Sequence, residues 1–201
     1  MRFVSWNVNG IRAVAGKGLL QQLNTLGADV IGLQETKATE EQVAEVLQPF
    51  LAGGWHLEAS SAERKGYSGT ALLSRTAPLR VLRDLPQADH NHEGRLLAAE
   101  FPDCWVVISY VPNSGGELAR LPYRSTWDRD LTLFLSDLDR EKPVFFGGDL
   151  NVAHQPMDLA RPKANYNKTP GYTQTEIDGF TNLLNAGFMD SFRRLNPDRV
   201  E

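Results

Sequence analysis

Apolar and polar positions along this chain fall into two alternating rhythms. Residues 1–8 alternate with a period of two and end at Asn7 and Asn9, the pattern of a half-buried strand. Leu19, Leu20, Leu23 and Leu26 then keep helical spacing up to Gly27, which suits a helix C-terminus. Residues 29–33 form an apolar run into Gln34-Glu35, and a helix over 39–50 follows. There, Thr39 and Gln42 have capping-box spacing and Val43, Val46, Leu47 and Phe50 share one face. Strand signals at 55–59, 70–74, 79–83, 96–101 and 105–110, separated by polar turns, predict an antiparallel middle section. Tyr123, Trp127, Leu131, Phe134, Leu135 and Leu138 mark a long amphipathic helix beginning at Pro122, a residue suited to a first helical turn. Val144-Phe145-Phe146 reads as a buried strand ending in Gly147-Gly148. A last helix is signalled by Thr173 with Glu176, then Ile177, Phe180, Leu183 and Leu184, with Gly187 just beyond.

Four of these strands close on groups able to do chemistry. The first ends at Asn7, the second at Glu35, the 105–110 strand at Tyr110 and Asn113, and the 144–146 strand at Asp149 and Asn151. Ligands in open α/β architectures bind beyond the carboxyl ends of strands, so side chains at strand ends are the ones able to converge. Each of them alone could be a turn or cap residue, chosen for backbone reasons. Four strand ends closing on an amide, an acid or a phenol make that coincidence poor and point to a hydrolytic site.

Composition fits one soluble globular domain spanning 1–201: 41% of residues are hydrophobic and 23% charged, with no linker-like or repeated segment. No apolar stretch is long enough for a bilayer, and the polar Asn7-Val8-Asn9-Gly10 interrupts any signal-peptide core, so a cytoplasmic location and no membrane partner are expected. Cys104, the single cysteine, reads as a small core side chain. A formal net charge of −4 argues against coating nucleic acid by bulk electrostatics, yet a local groove of Lys and Arg acts within a Debye length whatever the distant surface carries.

Glu35 with Asn7, and Asn9 beside it, offers hard oxygen donors, which suit Mg²⁺ or Mn²⁺ better than zinc. A cation there would polarise a phosphoryl oxygen while Asp149 orients or deprotonates water. Asn113 and Asn151 are neutral donors to phosphate oxygens, and Tyr110 can donate to a phosphate or leaving oxygen.

Ser5-Trp6-Asn7-Val8-Asn9-Gly10, Leu33-Gln34-Glu35-Thr36-Lys37, Gly66-Tyr67-Ser68-Gly69, Glu93-Gly94-Arg95, Tyr110-Val111-Pro112-Asn113 and Gly148-Asp149-Leu150-Asn151-Val152-Ala153-His154 occur in this order. They resemble the exonuclease III type apurinic/apyrimidinic endonucleases of the endonuclease/exonuclease/phosphatase superfamily, and the match continues through Gly171-Tyr172-Thr173 and Asp190-Ser191-Phe192-Arg193. The resemblance implies an α/β fold, a four-layered α/β sandwich of two mixed β-sheets flanked by helices. It also implies Mg²⁺-dependent (or Mn²⁺-dependent) cleavage of DNA 5′ to abasic sites, with 3′–5′ exonuclease and 3′-phosphatase trimming. Double-stranded DNA with abasic sites or 3′-blocked ends is then the partner.

Carried across by motif, Asn7 and Glu35 hold the metal; Tyr110, Asp149 and Asn151 are catalytic; Asn113 contacts phosphate. Asn9 stands where some members have Asp. Tyr67, Arg95, Lys163 and Asn165 fall in loops resembling the family's DNA-contacting loops, and Gly115-Gly116 lies where some relatives place a basic side chain. The family pattern continues beyond its Asp-Ser-Phe-Arg motif to a closing Ser-Asp-His motif, whereas this sequence ends at Glu201. None of its histidines, His56, His90, His92 and His154, matches that motif, and His154 reads as a packing residue. The expectation is a C-terminally incomplete domain lacking the last strands and the Asp-His pair, weakly active or inactive alone and monomeric unless completed by another chain. Two rival readings are a non-catalytic nucleic-acid-binding regulator on the same scaffold and a phosphatase of the same superfamily.

Overall fold

A computed structural model describes residues 1–200. Two compact units form: Met1–Tyr110 with Leu138–Leu150, and Val111–Asp137 with Asn151 onward. The polypeptide crosses between them three times, so neither unit is a contiguous stretch of sequence.

The first unit is built on two four-stranded sheets. One has the order β1-β2-β4-β3, from Phe3–Asn7, Val30–Gln34, Thr70–Ser74 and His56–Ser60 respectively. The other has the order β5-β6-β7-β8, from Arg80–Leu82, Leu96–Glu100, Trp105–Tyr110 and Val144–Asp149. Both are mixed: β1 runs parallel to β2 and β7 parallel to β8, while the remaining pairs are antiparallel. The antiparallel middle section is therefore present, divided between the two sheets. Helices α1 (Ile11–Ala15), α2 (Leu19–Thr25) and α3 (Glu40–Ala52) cover the outer face of the first sheet. Thr39 and Gln42 make the reciprocal capping box at the start of α3. Ile11, Leu19, Leu23, Val43, Leu47 and Phe50 bury against Ile31, Leu33, Ala71 and Leu73 of the sheet. Burial of each large side chain there contributes about 1.5–3 kcal/mol.

Between the sheets lie Val30, Leu72, Leu97, Ala99, Val106 and Ile108, joined by Phe101 and Cys104. The sheets approach closely at two glycines. A Cβ on Gly32 would sit 2.4 Å from Ile108 Cγ2, and one on Gly147 would sit 3.0 Å from Phe3 Cε1. At Gly148, φ is +145° and a Cβ would fall 1.9 Å from the Ser109 carbonyl oxygen, so the parallel pairing of β7 with β8 requires glycine there.

The second unit contains most of α4 (Leu121–Glu141), then α5 (Pro162–Asn165), α6 (Gln174–Asn185) and α7 (Ser191–Leu195). Trp127, Leu131, Phe134 and Leu135 of α4 are buried, and α6 opens with the Thr173–Glu176 capping box. Two details depart from the sequence reading. The 144–146 run is not buried throughout, because β8 lies at a sheet edge and Phe145 is 55% exposed. Helices α1, α5 and α7 were not anticipated, being too short to display a helical period.

Candidate active site

The ends of β1, β2, β7 and β8 bring four of the expected side chains into one cluster within the first unit. Asn7 Nδ2 donates to Glu35 Oε1 at 2.8 Å and to Asp149 Oδ2 at 2.7 Å, so one carboxamide bridges two carboxylates far apart in sequence. The Asn7 Oδ1 accepts the backbone N–H of Asn9 at 3.0 Å, which fixes which way the amide faces. Tyr110, register partner of Asp149 across the β7–β8 pair, hydrogen-bonds Glu35 through its hydroxyl. Glu35 (φ 54°) and Asn9 (φ 47°) adopt left-handed backbone conformations that non-glycine residues seldom occupy. Such strain persists only where surrounding structure holds it, and it clusters at functional sites.

Electrostatics set these groups apart. Burial pushes the Glu35 carboxyl upward, but hydrogen bonds from Asn7, Lys37 and Tyr110 and the Lys37 charge outweigh it, so the group lies below the ordinary carboxylate range and is ionised. The Tyr110 hydroxyl is pushed up to about 12, first by burial and then by the neighbouring Glu35 charge, so it remains a proton donor. Lys37 Nζ lies 2.7 Å from Glu35 Oε2 and donates to Asn9 Oδ1 at 2.5 Å. This lysine belongs to the cluster, yet the sequence reading left it out of the site; its place two residues after Glu35 in Gln34-Glu35-Thr36-Lys37 was the available signal. With Asn9 exposed and its carboxamide oxygen engaged by Lys37, it serves as that lysine's rest.

Arg95 differs from the expected loop contact. It is only 3% exposed, with Nε donating to Glu93 at 2.6 Å, Nη1 to the Tyr110 carbonyl at 2.8 Å and Nη2 to the Tyr67 hydroxyl at 2.9 Å. Its guanidinium also lies 4.6 Å from the Tyr110 ring centroid. Arg95 thus braces Tyr110 and Tyr67. Close by Tyr67, a cavity of about 320 Å³ is lined by Arg12, Lys37, Arg64, Lys65 and the start of α3, with Glu63 as its one acid. A local positive surface therefore exists on a chain of net negative charge.

In the second unit, Asn113 Nδ2 donates to Asn151 Oδ1 at 3.2 Å, and Asn151 Nδ2 donates to the Val111 carbonyl at 2.9 Å. Asn113 also receives the Gly115 N–H at 2.8 Å. Lys163 and Asn165 lie on α5 instead of in a loop, where Lys163 is exposed and Asn165 Oδ1 accepts from Thr169. His154 packs 4.9 Å from the Phe180 ring centroid with Nε2 at 3.0 Å from Thr181 Oγ1, the packing place expected of it.

The atoms of the Asn7–Glu35–Asp149 cluster able to ligate a cation are all hard oxygens, because the Asn7 Nδ2 turns its hydrogens to the two carboxylates. Among the described residues there is no grouping of three or more His, Cys, Asp or Glu that could hold a metal ion. That pattern does not fit a closed zinc centre and does fit a hard divalent cation, which takes one or two carboxylates and fills its shell from water and phosphate.

The sequence profile of the Endonuclease/Exonuclease/phosphatase family matches residues 4–198. This chain belongs to that family. It is 45% identical over 200 residues to the DNA repair nuclease APEX1 of Danio rerio, covering 100% of this chain and 64% of the relative. It is also 45% identical over 199 residues to an exodeoxyribonuclease of Bacillus subtilis, covering 98% of this chain and 77% of that protein. The chain thus spans under two thirds of the fish relative and about three quarters of the bacterial one. Among solved structures, an AP endonuclease from Archaeoglobus fulgidus superposes with a TM-score of 0.87 at 26% identity, over 99% of this chain and 76% of the other. The 3′ phosphatase NExo from Neisseria, bound to a product DNA hairpin, gives 0.85 at 27% identity, over 98% and 76%. These relatives are named as a DNA repair nuclease and an exodeoxyribonuclease and the solved neighbours as an AP endonuclease and a 3′ phosphatase, and the two mixed sheets with flanking helices of this chain are the fold of those neighbours.

Proposed function

We propose that the protein carrying this chain is a Mg²⁺-dependent DNA repair nuclease that hydrolyses the phosphodiester 5′ to abasic sites and trims 3′ ends as exonuclease and phosphatase. The observation that carries this reading is the Asn7 carboxamide spanning Glu35 and Asp149, which puts two carboxylates, a protonated phenol and a lysine in one cluster. Double-stranded DNA fits as the partner because the basic cavity offers Arg12, Arg64 and Lys65 to a polyanion, beside a Lys37 that is paired with Glu35.

Glu35 and Asn7 are the residues that would hold Mg²⁺ or Mn²⁺, and a cation bound there supplies Lewis-acid stabilisation of phosphoryl charge. Asp149, held by Asn7, orients water and accepts its proton. Tyr110, whose one hydroxyl proton lies on Glu35 in the free protein, would turn that proton to a phosphate or leaving oxygen once substrate is bound, and its raised pKa keeps the proton in place at any physiological pH. Asn113 and Asn151 contribute neutral N–H donors for phosphate oxygens.

The test uses the purified protein, a duplex with a single abasic site, and Mg²⁺ or a chelator. Incision 5′ to the site, abolished by chelator and reduced at least ~10²-fold in Glu35→Ala with duplex binding retained, is expected. Retained binding without incision by the unsubstituted protein would favour a regulator, and turnover of a small phosphomonoester but not of DNA would favour a phosphatase.

A further inference from the structure

The second unit contains a buried charged cluster that the proposed chemistry does not use. Arg124 and Glu176 have side-chain exposures of 2% and 0%. Arg124 Nε donates to both oxygens of Asp128, at 2.8 and 2.9 Å, along one turn of α4. Its Nη1 donates to the Pro112 carbonyl at 3.1 Å and to the Asn151 carbonyl at 3.0 Å, and lies 3.9 Å from Glu176 Oε1. Glu176 in turn accepts from Ser114 Oγ at 2.7 Å, from the Gly171 N–H at 3.0 Å and from Thr173 Oγ1 at 2.8 Å. Gly171 accepts the Ala153 N–H at 2.8 Å.

All four tethers land within two residues of Asn113 or Asn151. Pro112 and Ser114 flank Asn113 on either side. The Asn151 carbonyl itself is held, and Ala153 follows two residues later. Asn151 sits at φ 47°, a left-handed conformation that needs external support. Burying a guanidinium between two carboxylates is a poor way to gain stability, since desolvation offsets most of the attraction and an apolar replacement often does as well. What an apolar side chain cannot do is reach two carbonyls from separate segments with one rigid fork, and a lysine, with a single nitrogen, cannot hold two carbonyls and a carboxylate in the same plane.

We infer that Arg124 is a positioning residue, whose guanidinium fixes the backbone at Pro112 and Asn151 and thereby sets the Asn113–Asn151 carboxamide pair. The inference rests on the proposed function only for the consequence in turnover; the structural part stands by itself.

Two readouts separate them. In the full-length protein, the side-chain amide signals of Asn113 and Asn151, assigned through Asn113→Ala and Asn151→Ala, are followed by NMR in Arg124→Lys at a temperature where the variant is folded. Both are expected to shift or broaden while the Asn7 amide does not move; unchanged Asn113 and Asn151 signals overturn the inference. In kinetics on an abasic duplex, Arg124→Lys should lower kcat by about 10- to 100-fold with KM within about threefold. Added to Asn151→Ala it should cost less than about threefold more, because both substitutions act through one group. Fully multiplicative losses overturn the inference. Were Asn151→Ala to leave kcat unchanged while the amides still move in Arg124→Lys, the role given to Asn151 in the proposed function fails and the positioning stands. Should Arg124→Lys not fold, Asp128→Asn, which keeps the guanidinium but loosens its grip, is expected to move the same two amides by less, and no movement again overturns the inference.

Discussion

At the residue scale, the site's chemistry depends on groups whose protonation is set by neighbours. Tyr110 is held protonated by burial and by the Glu35 charge, with its pKa near 12. The donor form is present below that value, so between pH 6 and 10 the rate should not reflect Tyr110 ionisation. Tyr110→Phe should lower kcat about 10²-fold and leave the shape of the pH–rate profile over that range unchanged. A new or lost limb in that window would show that Tyr110 titrates. Asp149→Asn keeps a group able to accept from Asn7 Nδ2 but cannot take a proton from water, so kcat should fall by about 10²–10⁴ with duplex affinity retained, as followed by incision and filter binding. The strand-end residues Asn7, Glu35, Tyr110 and Asp149 were legible in the sequence because each ends an apolar run. Lys37 was not, since nothing in its spacing says that its ammonium turns back onto Glu35. Nor was the burial of Arg95, because a guanidinium in a polar turn looks the same in sequence whether it faces solvent or lies beneath two tyrosine rings.

At the scale of elements, the site depends on how closely the two sheets approach. Gly32 of β2 faces Ile108 of β7, and an added methyl group there would overlap its side chain. Gly32→Ala should therefore cost about 1–3 kcal/mol in a denaturant melt and, by pushing β2 away from β7, also lower activity, since Glu35 and Tyr110 follow those two strands. Ile108→Val together with Gly32→Ala should recover part of the loss, and a double variant as impaired as Gly32→Ala would argue against overlap as the cause. Most elements could be placed from period alone: both capping boxes formed where Thr39 and Thr173 predicted them. The partition of the middle strands into two sheets could not be, because β4 and β5 carry the same kind of signal and only their pairing partners differ. The exposed Phe145 has the same origin. An apolar triplet predicts burial, but β8 occupies a sheet edge, and edge position is a property of the neighbours.

For the whole molecule, charge distribution and pH make two further predictions. Net charge is −4, yet Arg12, Lys37, Arg64 and Lys65 line one cavity. DNA affinity should then fall steeply with salt, and replacing Arg64 and Lys65 together by alanine should flatten the slope of log affinity against log salt by about 1–2, measured by fluorescence anisotropy. An unchanged slope would place the DNA elsewhere. Asp128 is pushed up to about 6, first by burial and then by Glu176, against the opposing pull of Arg124. A carboxyl with a raised folded-state pKa favours the folded protein fully below its unfolded value near 3.8, and this contribution is lost as pH rises through about 6. Stability of the native protein should therefore fall relative to Asp128→Asn by roughly 2–3 kcal/mol between pH 4 and 7. Parallel melting curves for the two proteins across that range would mean that Asp128 is not buried as a proton-retaining group.

The order of apolar runs and polar strand ends, read by itself, determined the α/β class, most of the elements and four side chains of the cluster. These are local properties, fixed by backbone periodicity and by which residue follows the last buried one. Tertiary structure alone decided that one Asn7 amide joins Glu35 to Asp149, that Lys37 enters the cluster, and that Arg124 lies buried among carbonyls and carboxylates. Those contacts join residues distant in the chain, and a sequence records what each residue can bond, while only the folded backbone sets which partner comes within reach.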